Sequence, residues 1–181
     1  MSTPESLAGR LAADLDAAFP SVVDHFSNSL YSTALRLTRS PQDAEDLTQE
    51  TLVRAYRALR SYEDDRVREL QLRGWLWTIL LNLVRNRART RSRKPPPHDL
   101  DAAPPPQARV DTAAAAAASV DLHDALRALR PIEREVIVLR YVADLGFEEI
   151  SAATGSPVGT VKSHAHRSLK RLRQILGEEQ P

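Results

Sequence analysis

Cysteine is absent from the 181 residues, which excludes a disulfide framework, a thiolate zinc site, a cysteine nucleophile and a redox switch within the chain. Aromatic residues make up only 5%, so any core has to be built from Leu, Val, Ile and Ala. No apolar run reaches the ~20 residues that a membrane helix needs. The best candidate, Trp75 to Val84, is interrupted by Thr78 and Asn82. Met1 to Arg10 carries one Arg and no apolar block behind it, so no secretory signal is expected. The chain is read as cytoplasmic, without membrane insertion. Alternating strand patterns are also missing. What remains is a globular composition, 42% hydrophobic and 27% charged, long enough for one ordinary domain or two small ones.

The net charge of +1 conceals a strong segregation. Pro41 to Val53 holds Asp43, Glu45, Asp46 and Glu50 and no base. Arg85 to Lys94 holds Arg85, Arg87, Arg89, Arg91, Arg93 and Lys94 and no acid. Pro157 to Gly177 holds Lys162, Arg167, Lys170, Arg171 and Arg173, again without an acid. Local fields decide what a protein attracts. Two basic elements and one acidic element point to a polyanion held at two places and a third partner held elsewhere.

Half of the 12 prolines fall at 95–97 and 104–106, and the run Ala113 to Ala118 follows. This composition reads as a Pro/Ala-rich linker over 94–119. The expected organisation is an N-terminal extension at 1–20, a first block at 21–93, the linker, and a second block at 120–177. Both blocks read as all-α. Leu7, Leu11 and Leu15 recur at helical spacing until Pro20, which is expected to stop that segment. Val22, Val23, Phe26, Leu30, Ala34 and Leu37 continue beyond it. Ser40-Pro41 is a helix start, with Ser as N-cap, Pro in the first turn and acids near the dipole's positive end. That helix is expected to run to about Leu59. A polar stretch from Ser61 to Arg73 precedes a helix from about Gly74, whose buried stripe is Trp75, Leu76, Ile79, Leu80, Leu83 and Val84. In the second block, one helix carries Leu122 to Leu129, a second opens at Pro131, and a brief third spans Phe147 to Ala153. Gly155-Ser156-Pro157 then supplies a stop, an N-cap and a first-turn proline.

A short helix, a tight turn with Gly and a longer helix with a basic outer face form a helix-turn-helix pattern. Lys162, Ser163, His166, Arg167 and Lys170 make up that basic and polar face. The plainer reading is an αα-hairpin with a solvated basic side. Trp77 and Leu81 fall off the stripe of the preceding block's last helix, beside Asn82 and Arg85, which suits stacking on bases. Packing of Trp77 under the preceding loop is the equally simple alternative. Asp43, Asp46 and Glu50 share one face, but no nucleophile or histidine is tied to them, so a solvated or partner-binding face is preferred to a catalytic site. His164 and His166 point to nearly opposite sides of a helix and do not chelate one ion. No cofactor or metal site is expected.

The order of these pieces carries a resemblance. Asp43-Ala-Glu-Asp-Leu-Thr-Gln-Glu-Thr-Leu-Val-Arg-Ala-Tyr56, then Arg73-Gly-Trp-Leu-Trp-Thr-Ile79 with Asn82 and a basic run, resembles the σ2 domain of bacterial RNA polymerase sigma factors. Leu129-Arg-Pro-Ile-Glu-Arg-Glu-Val-Ile-Val-Leu-Arg-Tyr141, Phe147-Glu-Glu-Ile150 and Pro157-Val-Gly-Thr-Val-Lys-Ser163 resemble σ4. Two such domains with only a linker between them match the extracytoplasmic-function (ECF) group of the sigma-70 family.

The resemblance implies an initiation subunit rather than an enzyme, with core RNA polymerase (its β′ clamp helices and β flap), promoter DNA and an anti-sigma factor as partners. It places Asp46, Gln49, Glu50, Val53 and Arg54 on the β′-binding positions. Trp77, Asn82, Arg85, Asn86 and Arg89 fall where the −10 element is opened and held. Lys162, Ser163, His166, Arg167 and Lys170 fall on the −35 reader. Two departures, a longer loop between Tyr62 and Trp75 and Leu81 at a position often polar or basic, lie in the −10 reader, so the family's base preference is not carried over. The rival from another class is a stand-alone dimeric helix-turn-helix regulator. It accounts for the second block but leaves the acidic and tryptophan helices without a purpose.

Overall fold

The computed structural model describes residues 6–93, 122 and 124–177; the linker expected at 94–119 lies outside the described residues. Every regular element among the described residues is a helix. The first block comprises α1 (Leu7–Ala13), α2 (Leu15–Thr38), α3 (Pro41–Leu59), α4 (Asp64–Arg68) and α5 (Leu72–Arg93). The second begins with a helical turn at 124–127 and continues as α6 (Pro131–Tyr141), α7 (Phe147–Thr154) and α8 (Val158–Ile175).

The helix boundaries follow local chemistry. Ser6 accepts from the Gly9 N–H at 3.1 Å and caps α1. Asp14, extended at φ −153°, separates α1 from α2 and accepts from the Ala17 N–H at 3.0 Å. The break expected at Pro20 therefore falls six residues earlier, and Pro20 is accommodated inside α2 on its exposed side. Ser40 caps α3 as expected, accepting from the Asp43 N–H at 3.2 Å. The stretch between α3 and α5 contains a helix, α4, because Val67 is apolar and buried within it. Gly155 ends α7 in the left-handed region at φ +74°, a conformation that glycine adopts without a Cβ penalty. Pro157, not Ser156, is the N-cap of α8; the Ser156 carbonyl instead accepts from the Ser151 hydroxyl at 2.7 Å.

The first block packs α2, α3 and α5 around Val22, Phe26, Leu30, Leu47, Ala55, Leu76 and Leu80. Here the stripe read from the sequence is corrected. Trp77 is 1% exposed and Leu81 is fully buried, whereas Trp75 is only half-buried, against Tyr62. The Trp77 indole lies edge-on to Phe26 at 5.9 Å, and its N–H donates to the Thr33 hydroxyl at 3.2 Å. That satisfies its one polar atom inside the core. Trp77 is thus a core residue and has no face free to stack on a base.

The smaller second block is tied by Arg134, which donates to the carbonyls of Leu126, Arg127 and Leu129 at 2.9, 3.2 and 3.3 Å. Glu133 accepts from the Arg130 backbone N–H at 3.1 Å and side chain at 2.6 Å, and those bonds hold its carboxyl below the usual carboxylate range.

The packing of Trp77 makes a stability prediction. Trp77→Ala should cost about 3–5 kcal/mol in chemical denaturation. Thr33→Val, which strands the indole N–H with almost no change in volume, should cost about 1–3 kcal/mol. A Trp77→Ala chain as stable as the parent would contradict this core assignment.

Candidate nucleic-acid interface

The acidic helix α3 turns two different faces outward and inward. Asp46, Gln49, Glu50, Val53 and Arg54 are all exposed, Val53 to 43%. On one side of this ridge lies a groove shared with α5, lined by Leu47, Leu83, Asn86 and Thr90. On the other lies an apolar groove formed by Phe19, Val23, Leu52 and Tyr56. Gln49 and Val53 border both. Glu50 and Arg54 pair along the helix at 2.6 Å, an exposed pair of little energetic weight.

Asp43 does not belong to that outer face. Its side chain is 4% exposed and faces the basic end of α5, with Arg87 at 3.0 Å and Arg91 at 2.7 Å. Arg87 also reaches Asp46 at 2.9 Å. Part of the basic run is therefore neutralised by α3 and fastens the two helices together.

The rest of the α5 face divides again. Asn82, Asn86 and Arg89 are exposed, and Arg89 donates to the Asn86 side-chain oxygen. Arg85 is turned toward the second block, where its guanidinium grips both carboxylate oxygens of Glu135 at 3.1 and 2.5 Å. Those hydrogen bonds raise the Arg85 pKa above its ordinary value, against burial, which lowers it. Glu135 escaped the sequence reading because it sits inside an apolar run, where an acid resembles a solvated helix position. It is buried instead.

On α8 the division is simple. Val161, Ala165, Ser168 and Leu172 face the core, while Lys162, Ser163, His166, Arg167 and Lys170 are exposed together. The Ser163 hydroxyl donates to the Gly159 carbonyl at 2.9 Å, and the Arg167 Nε donates to the Ser163 carbonyl at 3.2 Å. Both side chains are parked on their own helix, with nitrogens of the Arg167 fork still available. Lys162 stands 5.7 Å from the Phe147 ring, which Arg140 also approaches at 5.4 Å. Among the described residues no group of three or more His, Asp or Glu side chains is placed to hold a metal ion. No helix among them is long and apolar enough to cross a membrane.

The two acid roles on α3 separate in a stability measurement. Asp43→Ala removes the buried partner of two arginines and should cost about 2–3 kcal/mol, less than a fully interior pair because both arginines reach water. Glu50→Ala should stay within about 0.5 kcal/mol of the parent. Equal effects in urea unfolding would show that Asp43 is not the fastening point.

Residues 22–94 match the Sigma-70 region 2 family and residues 119–172 match Sigma-70, region 4. The chain is 36% identical over 169 residues to the ECF RNA polymerase sigma factor SigE of Mycolicibacterium smegmatis, covering 90% of this chain and 64% of that relative's length. It is 30% identical to the ECF RNA polymerase sigma factor SigW of Bacillus subtilis, covering 88% of this chain and 89% of the other. The solved sigma factor RpoE of Bartonella quintana, in complex with the anti-sigma factor NepR, superposes with a TM-score of 0.68 at 26% identity, covering 90% of this chain and 98% of that one. Neither matched region alone spans half of the chain, so a score of that size takes in both blocks in their mutual placement. With both sigma-70 regions in order on one chain whose described elements are all helices, and 30% identity to SigW over 89% of its length, the protein belongs to the ECF RNA polymerase sigma factors.

Proposed function

We propose that this chain binds core RNA polymerase through the α3 ridge and directs it to promoters, with α5 holding the −10 element and α8 reading the −35 element. It is a specificity subunit, and the bond-forming chemistry belongs to the polymerase. The observation that carries the reading is the separation of surfaces. Gln49, Glu50 and Val53 form a polar and apolar ridge on α3, while Lys162, Ser163, His166, Arg167 and Lys170 form a basic patch on α8. A helix with one buried stripe and small, polar or basic side chains on its other face fits a major groove.

Within that patch the roles divide by depth. Lys162, Ser163, His166 and Arg167 lie in the first turns of α8 and meet base edges. Lys170, Arg171 and Arg173 lie further along and meet phosphates. On α5, Asn82, Asn86 and Arg89 are exposed for the displaced strand, and Arg85 joins them once it leaves Glu135. Trp77 takes no part, being core. Polymerase contact is assigned to Gln49, Glu50, Val53 and Arg54, with Asp46 contributing through the carboxylate that Arg87 holds. RpoE of Bartonella quintana is solved with an anti-sigma factor, which supports a regulator of the same kind for this chain. The site of action is the cytoplasm, where the polymerase is. A stand-alone dimeric helix-turn-helix regulator is not favoured, because the region 2 match covers α3 and α5, for which that reading has no use.

Two sets of substitutions test the assignment. Gln49→Ala, Glu50→Ala and Val53→Ala together should abolish copurification with core polymerase while leaving the circular-dichroism spectrum unchanged. Arg167→Ala should relax preference at one or two −35 positions, by about 1–3 kcal/mol per base contact. Arg173→Ala should weaken all promoters alike and flatten the salt dependence. If Arg167→Ala lowers every member of a −35 mutant series by the same factor, the division into base reader and phosphate contact is wrong.

A further inference from the structure

One side chain on the outer face of α8 is held differently from its neighbours. Ser163 and Arg167 are tied to their own helix, through the Gly159 and Ser163 carbonyls. Lys162 is tied to another helix. Its ammonium stands 5.7 Å from the centroid of the Phe147 ring, at the start of α7. That lies within the ~6 Å over which an aromatic face attracts a cation. Among the described residues Lys162 joins no ion pair, so the ring is the group its charge meets there.

The ring itself is fixed in place. Phe147 is half-buried and packs against the large apolar cluster that contains Ile150, Val161 and Ala165. The Gly146 N–H donates to the Glu149 carboxylate at 2.8 Å, which sets the start of α7. Arg140 of α6 lies 5.4 Å from the same ring and donates to the Leu145 carbonyl at 3.0 Å. The segment that leads into Phe147 is thereby held as well. Lys162, by contrast, is exposed on a flexible four-carbon stem. Such a side chain has many rotamers to lose on binding, and unguided it meets phosphates as a point charge.

We propose that Phe147 is a positioning residue of the −35 reader: its ring holds the Lys162 ammonium before DNA arrives, so that Lys162 is presented to a base edge rather than to the nearest phosphate. The proposal rests on the reading of α8 as the −35 reader. Phe147 acts through Lys162 and not on the DNA. Base-edge contacts carry sequence information, whereas phosphate contacts carry affinity and salt dependence. Removing the ring while keeping the charge therefore costs discrimination and leaves the salt dependence in place. Removing the charge costs both.

Phe147→Leu keeps an apolar side chain against the core and deletes the ring. The full chain is assayed with core polymerase on a −35 mutant series of a promoter at which it supports initiation. Phe147→Leu should lose about two- to fivefold of the discrimination at the position that Lys162→Ala relaxes, and none at the others. Its salt slope should be no shallower than that of the parent, whereas Lys162→Ala should flatten it. On a Lys162→Ala background Phe147→Leu should have no further effect. Phe147→Tyr, which retains a ring, should discriminate as the parent does. The DNA-free chain gives a second readout, because it has only three lysines, Lys94, Lys162 and Lys170. The ε-methylene resonances of Lys162, assigned by their loss in Lys162→Arg, should lie upfield of those of Lys170 in the parent and in Phe147→Tyr. In Phe147→Leu they should move to the Lys170 position. The proposal is overturned if Phe147→Leu lowers every −35 variant by the same factor, if its effect adds in full to that of Lys162→Ala, or if the Lys162 resonances do not move. Failure of the sigma-factor reading itself would look different: the Lys162 resonances would follow the ring as expected, but the parent chain would give core polymerase no −35 preference to lose.

Discussion

Helix α5 is buried on more than one side along its first half, and the rest of the molecule is arranged around that constraint. Trp77 anchors it in the first block, with the ring against Phe26 and the indole N–H on Thr33. Leu76, Leu80 and Leu81 fill the remaining apolar contacts, including those shared with the second block. An aromatic side chain of this size buried with its polar atom satisfied fixes both the position and the rotation of the helix. Everything polar on α5 then has its direction set. Arg87 and Arg91 turn toward Asp43 on α3, Arg85 toward Glu135 on α6, and Asn82, Asn86 and Arg89 toward water.

The basic run is accordingly not one surface but three. The part neutralised by α3 secures the block, the part held by α6 secures the junction between blocks, and the part left exposed is available to a polyanion. Formal charge along a sequence does not reveal this partition, because it depends on the roughly 100° step between helical neighbours and on which helix lies on each side. Nor is the total charge of +1 informative, since the fields that matter are those of α3, α5 and α8 taken separately.

Much of the fold was legible in the sequence where a boundary is set by local chemistry. Ser40-Pro41 opens α3, Pro131 opens α6, and Gly155 closes α7 in the left-handed region. The exposed face of α8 follows from its apolar spacing in the same way. The misreadings of Trp77 and Asp43 share one cause, a neighbour that local sequence does not contain. A single-stripe reading of α5 placed Trp75 inside and Trp77 outside, because periodicity supposes one buried face and α5 also turns Trp77 onto Phe26 and Thr33 of α2. Asp43 reads as part of a solvated or partner-binding face until α5 brings Arg87 and Arg91 to it, and nothing in the local sequence marks Glu135 as the partner of Arg85. Pro20 looked like a stop because nothing in its own segment marks Asp14 as the stronger break. The motif order identified the family without any of these tertiary contacts, since it depends on residue types at fixed spacing.

In the proposed function one chain joins a polymerase-contacting ridge on α3 to DNA-reading faces on α5 and α8 and thereby chooses where transcription starts. The most direct measurement maps transcript 5′ ends from fragmented genomic DNA transcribed by purified core polymerase, with and without the purified chain. The expected result is a set of start sites that appears only with the chain and shares two upstream elements at fixed spacing. Identical start sites with and without the chain, under conditions where the polymerase is active, would contradict it.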